Sequence, residues 1–179
     1  GILCAVDILN EGIDVPDVYL HEEEGQHHLI IKRFDRDAND RKIHTCSISG
    51  LMHKDISVAK IMSYEELFRF TNRVCTNQSA IKELFRRMVF NALSFNVDDH
   101  AKNFEFMMDE YGEWDLAPAY DITYSKGAVQ EHLSTINGKG KDFTVDDFLK
   151  VADENLIQKK DALPIIEMIA KKLAEFEIR

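Results

Sequence analysis

The apolar positions of this 179-residue chain follow two rhythms, one of three and four residues and one of two. Ile81, Leu84, Phe85, Met88, Val89, Ala92 and Leu93 recur at three and four, which predicts a helix over "AIKELFRRMVFNALSFN" as the buried spine of the domain. Its start falls at Asn77 or Ser79. Upstream, Ser63 and Glu66 have capping-box spacing ahead of "YEELFRFTNRVC". Thr144 is placed to cap "VDDFLKVADENL", and Pro164 suits the first turn of a terminal amphipathic helix, "LPIIEMIAKKLAEFEI". At the other end, Ile2, Ala5, Val6 and Leu9 share a helix face that stops at Gly12.

The alternating rhythm predicts strands. "DVYLHEEEGQHHLIIKRFD" alternates around Glu23, Glu24 and Gly25 as an antiparallel hairpin would, with "LIIKRF" the more buried strand. His27 and His28, beside the run of glutamates, belong to an exposed hairpin tip. "NFEFMM" and "EWDLA" form a second hairpin with Gly112 in its turn. Between Asp37 and Asp55 the chain is polar and non-periodic, which predicts a loop. The expected fold class is α+β, mostly helical, with no internal repeat and no linker rich in Pro, Gly or Ser.

Composition narrows the function classes. A hydrophobic fraction of 45% suffices for a core. The 32 acidic residues against 22 basic ones give a net charge of -10, which opposes direct binding to nucleic acid or anionic lipid. Cys4, Cys46 and Cys75 are odd in number and lack metal-ligand spacing, so a disulfide framework or zinc site is not expected and a reducing cytoplasm is. No apolar run reaches the roughly eighteen residues of a membrane span, and the start lacks the basic flank of a signal peptide. The chain also opens without methionine, which leaves room for a preceding segment.

The densest chemistry is in "NVDDHAKNFEFM", at the end of the spine helix. Phosphoryl transfer needs a carboxylate to orient and deprotonate the attacking hydroxyl, and oxygen ligands for magnesium. Asp98 and Asn103 stand five apart, and Asp121 follows the second hairpin, the order D-x-x-x-x-N, hairpin, Asp that such chemistry uses in protein kinases. Asp99 is expected to shape the turn. His100 is expected to make a structural hydrogen bond, because no second histidine lies at ligand spacing to make a metal-hydrolase site.

"FNALSFNVDDHAKNFEFMMDEYGEWDLAPAYDITYS" closely resembles the signature region of HipA-like serine/threonine kinases. "IDVPDVYL", "IIKRFDR", "MSYEELFRF" and "HLSTINGKGKDFTVDDFL" are similar to other parts of that family. The resemblance covers nearly the whole chain. It implies a protein-kinase-like large lobe over 37–179, with 1–36 a remnant of the small lobe and its hinge strand. By the same resemblance Asp98 is the catalytic base, and Asn103 and Asp121 are the magnesium ligands. His100, Lys102 and Tyr120 lie beside the ATP, with Lys102 placed to touch a phosphate. Lys32, Arg33 and Phe34 occupy the strand that meets the adenine; Lys32 replaces an acidic residue, a change that a backbone contact tolerates.

The family resemblance further implies ATP and Mg2+ as cofactors, a protein substrate, and a bacterial toxin-antitoxin setting with a DNA-binding antitoxin as partner. A Gly-rich loop and a strand lysine should precede "ILCAVDILNEG", and Gly138 and Gly140 do not supply that loop, so the chain alone is expected to be inactive or weakly active. The alternatives are a split or inactive kinase-like regulatory module and, further off, a metal-dependent hydrolase built on Asp98, His100 and Asp121.

Overall fold

The computed structural model describes residues 12–55, 62–75, 77–122 and 131–177, so the helix expected over residues 2–9 lies outside the described part. Five α-helices and seven short strands occur among the described residues. A hairpin of β1 (Val18–Glu23) and β2 (Gln26–Ile31) turns at Glu24 and Gly25, both at positive φ. The pairing runs from Val18 opposite Ile31 to Glu23 opposite Gln26. Contrary to expectation, β2 is exposed along its whole length, and Tyr19, Leu20, Leu29, Ile30 and Ile31 all face solvent. Alternation identifies a strand but not whether anything covers it; this hairpin is a separate two-stranded sheet whose apolar side chains remain exposed.

The stretch 37–55, expected to be a loop, contains β3 (His44–Ser47) and a single helical turn, α1 (Ile48–Leu51), whose cap is Ser47. The strand exists because β5 (Glu105–Met108) supplies its ladder from sixty residues away, pairing His44 with Met108 and Ser47 with Glu105. β6 (Trp114–Leu116) completes this antiparallel sheet on the other side of β5, and Gly112 at φ 83° makes the turn that joins them. Ile48 is fully buried beneath the sheet edge, and its N–H donates to the Phe104 carbonyl.

β4 (Met62–Ser63) leads into α2 (Tyr64–Val74), and the expected capping box is formed: Glu66 N–H donates to Ser63 Oγ while Ser63 N–H donates to Glu66 Oε2. α3 (Gln78–Leu93) is capped by Asn77 and is the spine that its spacing predicts, with Ile81, Leu84, Phe85, Met88, Val89 and Ala92 buried and Leu93 half-buried. Helix α3 packs against α2, β6 and the terminal helix α5 (Lys159–Glu177). Between them, α4 (Val145–Glu154) begins at Thr144, where Asp147 accepts from both the Thr144 N–H and its hydroxyl at 2.8 Å. Helix α5 starts at Lys159, earlier than expected, so Pro164 lies inside it. Pro164 is exposed, so the Lys160 carbonyl that loses an intrahelical donor there can turn to water.

Candidate active site

α3 closes with Asn96 N–H donating to the Asn91 carbonyl around Phe95, which sits at φ 54°. The chain then runs without regular structure through residues 96–100 into a 3-10 turn, Ala101–Asn103. Asp98 and Asp99 are oppositely exposed: the Asp98 side chain is 54% exposed, and that of Asp99 is 0% exposed.

The Asp98 carbonyl accepts two hydrogen bonds, one from the His100 N–H at 2.9 Å and one from Asn103 Nδ2 at 3.1 Å. Because a carbonyl can only accept, the second bond fixes which way the Asn103 amide faces and leaves Oδ1 as its outward oxygen. His100 Nε2 lies 3.8 Å from Asp98 Oδ1, and His100 Nδ1 is buried without a hydrogen-bond partner. Lys102 is exposed, and its carbonyl accepts from the Tyr120 hydroxyl at 2.5 Å.

Tyr120 joins this loop to a cleft. Its ring stacks on Phe34 with centroids 5.8 Å apart and an interplanar angle of 25°. The two rings line a cavity of about 450 Å³ together with Pro16, Ile31, Lys32 and Arg33. Burial, reinforced by Glu105, pushes the Tyr120 pKa well above the ordinary tyrosine value, so its hydroxyl stays a donor. The cations of the cleft are already engaged: Lys32 Nζ bonds Asp17 Oδ2 at 3.0 Å, and Arg33 grips both oxygens of Asp35. Hydrogen bonds from Arg33 draw the Asp35 carboxyl down to about 2. Asp121 follows Tyr120, exposed and at φ 54°, a left-handed backbone that aspartate tolerates better than most residues.

Thus the fold brings Asp98 and Asn103 into direct contact, ties Lys102 to Tyr120, and stacks Tyr120 on Phe34. It ties the Lys32 and Arg33 side-chain charges to neighbouring acids. Buried groups that sequence reading left without a site role also converge here: Tyr64, Asn91, Asn96, His132 and Ser134 surround Asp99 or one another. The one signal for them in the sequence is the adjacency of two acids, Asp98 and Asp99. Cys75 is no candidate nucleophile, since burial pushes its thiol up to about 12.

The sequence model of the HipA-like C-terminal domain matches residues 4–176. The chain belongs to this family. Among its relatives is a Haemophilus influenzae protein named "Putative kinase", 33% identical over 124 residues, an alignment covering 62% of this chain and 36% of the relative. The chain spans about a third of the length of the curated relatives it matches. Its fold is that of HipA from Shewanella oneidensis, solved with HipB and operator DNA, at a TM-score of 0.73 and 18% identity, covering 98% of this chain and 47% of that one. The Helicobacter pylori proinflammatory kinase CtkA also shares the fold, at a TM-score of 0.59 and 14% identity, over 96% of this chain and 80% of that one.

Kinases of this kind use ATP with Mg2+, and the donors present suit that ion. Asn103 Oδ1 and the Asp121 carboxylate are hard oxygen donors of the kind Mg2+ takes, and Mg2+ is ordinarily held by one or two protein carboxylates with phosphates and water filling the remaining positions. No three His, Cys, Asp or Glu side chains converge as a metal cage among the described residues. No helix among them is long and apolar enough to cross a membrane.

Proposed function

We propose that this chain is the catalytic portion of a HipA-like, ATP-dependent serine/threonine protein kinase, a transferase. The observation that carries the reading is Tyr120, which stacks on Phe34 in the cleft, bonds the Lys102 carbonyl of the polar loop, and directly precedes Asp121. One side chain thereby links a cleft walled in part by two aromatic rings, which suit a purine, to the loop carrying the acid.

In this reading Asp98 accepts the proton of a substrate hydroxyl as that oxygen attacks the terminal phosphorus of ATP and the bond to the ADP oxygen breaks. Its exposure leaves it open to a protein substrate. Asn103 and Asp121 would hold magnesium, which when bound neutralises charge on the phosphate oxygens. Lys102, exposed in the same loop, is suited to touch a phosphate as a point charge, and His100 borders it. The backbone of 32–34 and the faces of Phe34 and Tyr120 would receive the adenine. The net charge of -10 fits a division of labour in which a DNA-binding antitoxin supplies the basic surface, as the HipB and operator DNA of the Shewanella complex suggest by similarity.

The test is Asp98→Ala in a full-length protein that contains this chain. Phosphoryl transfer should fall by about a thousandfold, while the melting temperature stays near that of the wild type because the side chain is exposed. Transfer at the wild-type rate would remove Asp98 from the mechanism.

A further inference from the structure

Asp99 is the most heavily hydrogen-bonded carboxylate next to the proposed base. Its Oδ2 accepts from the Tyr64 hydroxyl at 3.2 Å and lies 3.1 Å from His132 Nδ1; its Oδ1 accepts from the backbone N–H groups of Leu133 and Ser134 at 3.0 and 3.1 Å. Its own carbonyl accepts from Ser134 Oγ at 2.5 Å. Leu133 N–H is shared with the Val97 carbonyl at 3.1 Å. From Tyr64 the network continues inward: Asn91 Nδ2 donates to the Tyr64 hydroxyl, and Asn96 Nδ2 donates to Asn91 Oδ1, each at 3.0 Å.

Every side chain that bonds in this network is buried, with Asn96 at 2%, Asp99 at 1%, His132 at 4% and Ser134 at 0% exposure. An unpaired polar group at such depth is costly, and apart from Asn96 Oδ1, which is buried without a partner, these groups hold one another in a single arrangement. The consequence falls on Asp98. The loop is pinned just before it, at Asn96 and Val97, and just after it, at Asp99, leaving the Asp98 side chain as the exposed member of an immobilised stretch. The pins come from three places far apart in sequence: α2 through Tyr64, α3 through Asn91, and the segment entering β7 (Ser134–Thr135) through His132, Leu133 and Ser134.

We infer that Asp99 is a positioning residue: its buried carboxylate fastens the loop carrying Asp98 to residues 132–134 and so sets the location of the base. This rests on the kinase reading for its catalytic consequence, but not for its structural one. Asp99→Asn offers a nearly isosteric probe. The amide oxygen can still accept from Leu133 and Ser134, while the amide nitrogen can donate to the Tyr64 oxygen and to Nδ1 of the other His132 tautomer. Asp99→Ala removes all four contacts of the carboxylate.

The experiment uses the complete protein, with Asp99→Ala, Asp99→Asn and Ser134→Ala, and two readouts. In steady-state transfer, Asp99→Ala should lower kcat about a hundredfold, the usual cost of a base displaced by about 1 Å, with KM for ATP little changed. Asp99→Asn should recover most of that loss. In amide hydrogen exchange, Asp99→Ala should release Asn103, Leu133 and Ser134 about tenfold or more faster than wild type while the centre of α3 keeps its protection. Should Asp99→Ala fail to fold, Ser134→Ala reports the same local release.

Unchanged exchange at these amides overturns the inference, as does protection lost uniformly across the helices or a kcat unchanged in a folded Asp99→Ala protein. A wild-type protein that transfers no phosphate would sink the proposed function instead, and hydrogen exchange would still decide whether Asp99 fastens the loop.

Discussion

The hydroxyl of Tyr120 donates to the carbonyl of Lys102 at 2.5 Å, bridging eighteen residues of chain. The ring bearing that hydroxyl forms part of the cleft wall with Phe34, so the position of the loop and the shape of the cleft depend on one residue. Tyr120→Phe keeps the stack and removes the bond. Its urea unfolding free energy should fall by about 1 kcal/mol, the net worth of a typical internal hydrogen bond. An unchanged midpoint and slope would show that the bond contributes no net stability.

Asp121 has a proposed role that can be separated from folding. Its side chain is exposed and makes no hydrogen bond with the described residues that would be missed on truncation. Calorimetric titration of ATP in the presence of Mg2+ should therefore give a binding signal that Asp121→Ala loses, with thermal unfolding little altered. Binding retained in the variant would show that the nucleotide is held without this carboxylate.

Asp147 makes stability depend on acid. Burial works against its charged form, but hydrogen bonds from Lys139, Asn137 and Thr144 outweigh burial and hold its pKa well below the usual carboxylate range. A carboxylate whose pKa is depressed on folding stabilises the protein above its unfolded value of about 3.9, and that contribution is lost as pH falls from there toward the folded pKa. Asp147→Asn should cost about 2 kcal/mol at neutral pH. The gap between variant and wild type should narrow below about pH 4. Denaturant midpoints measured at pH 7, 5 and 3 check this, and a gap independent of pH would refute it.

Phe95 occupies a position in which a bulky side chain is rare. It is 60% exposed and holds φ 54° at the turn that ends α3, where glycine or asparagine is usual. Little packing is lost on replacing it, and the left-handed backbone costs an ordinary residue about 1 kcal/mol. Phe95→Asn should thus raise the melting temperature, by the equivalent of about 0.5 kcal/mol. A lower melting temperature would mean that the aromatic ring packs against something that stabilises the fold.

Much of the fold was legible because its signals are local. Capping at Ser63, Asn77 and Thr144, the three-and-four spacing of α3, and the Gly25 and Gly112 turns all depend on a few neighbouring residues and all appear where expected. The misses share the opposite property. The strand β3 is polar and non-periodic, and exists because β5 pairs with it from a distance. The two-residue parallel pair of β4 and β7 joins Met62 to Ser134 and Ser63 to Thr135, too short to leave a pattern. Pro164 suits a helix start because proline favours first turns, yet its exposure lets α5 carry it internally.

The candidate site divides along the same line. Residue types and their order, Asp98, Asn103 and then Asp121 beyond a hairpin, are properties of the sequence, because the chemistry proposed for them would act through a loop and a hairpin that are local in the chain. The sequence likewise determined family membership and the helical spine. Tertiary structure alone decided that Asp99 turns inward while Asp98 stays exposed, that His132 and Ser134 meet it from more than thirty residues away, and that Phe34 stacks on Tyr120. Those relations are hydrogen bonds and ring contacts between distant segments. They form when packing brings segments distant in sequence together and withdraws their groups from water, fully at Asp99 and partly at Phe34 and Tyr120.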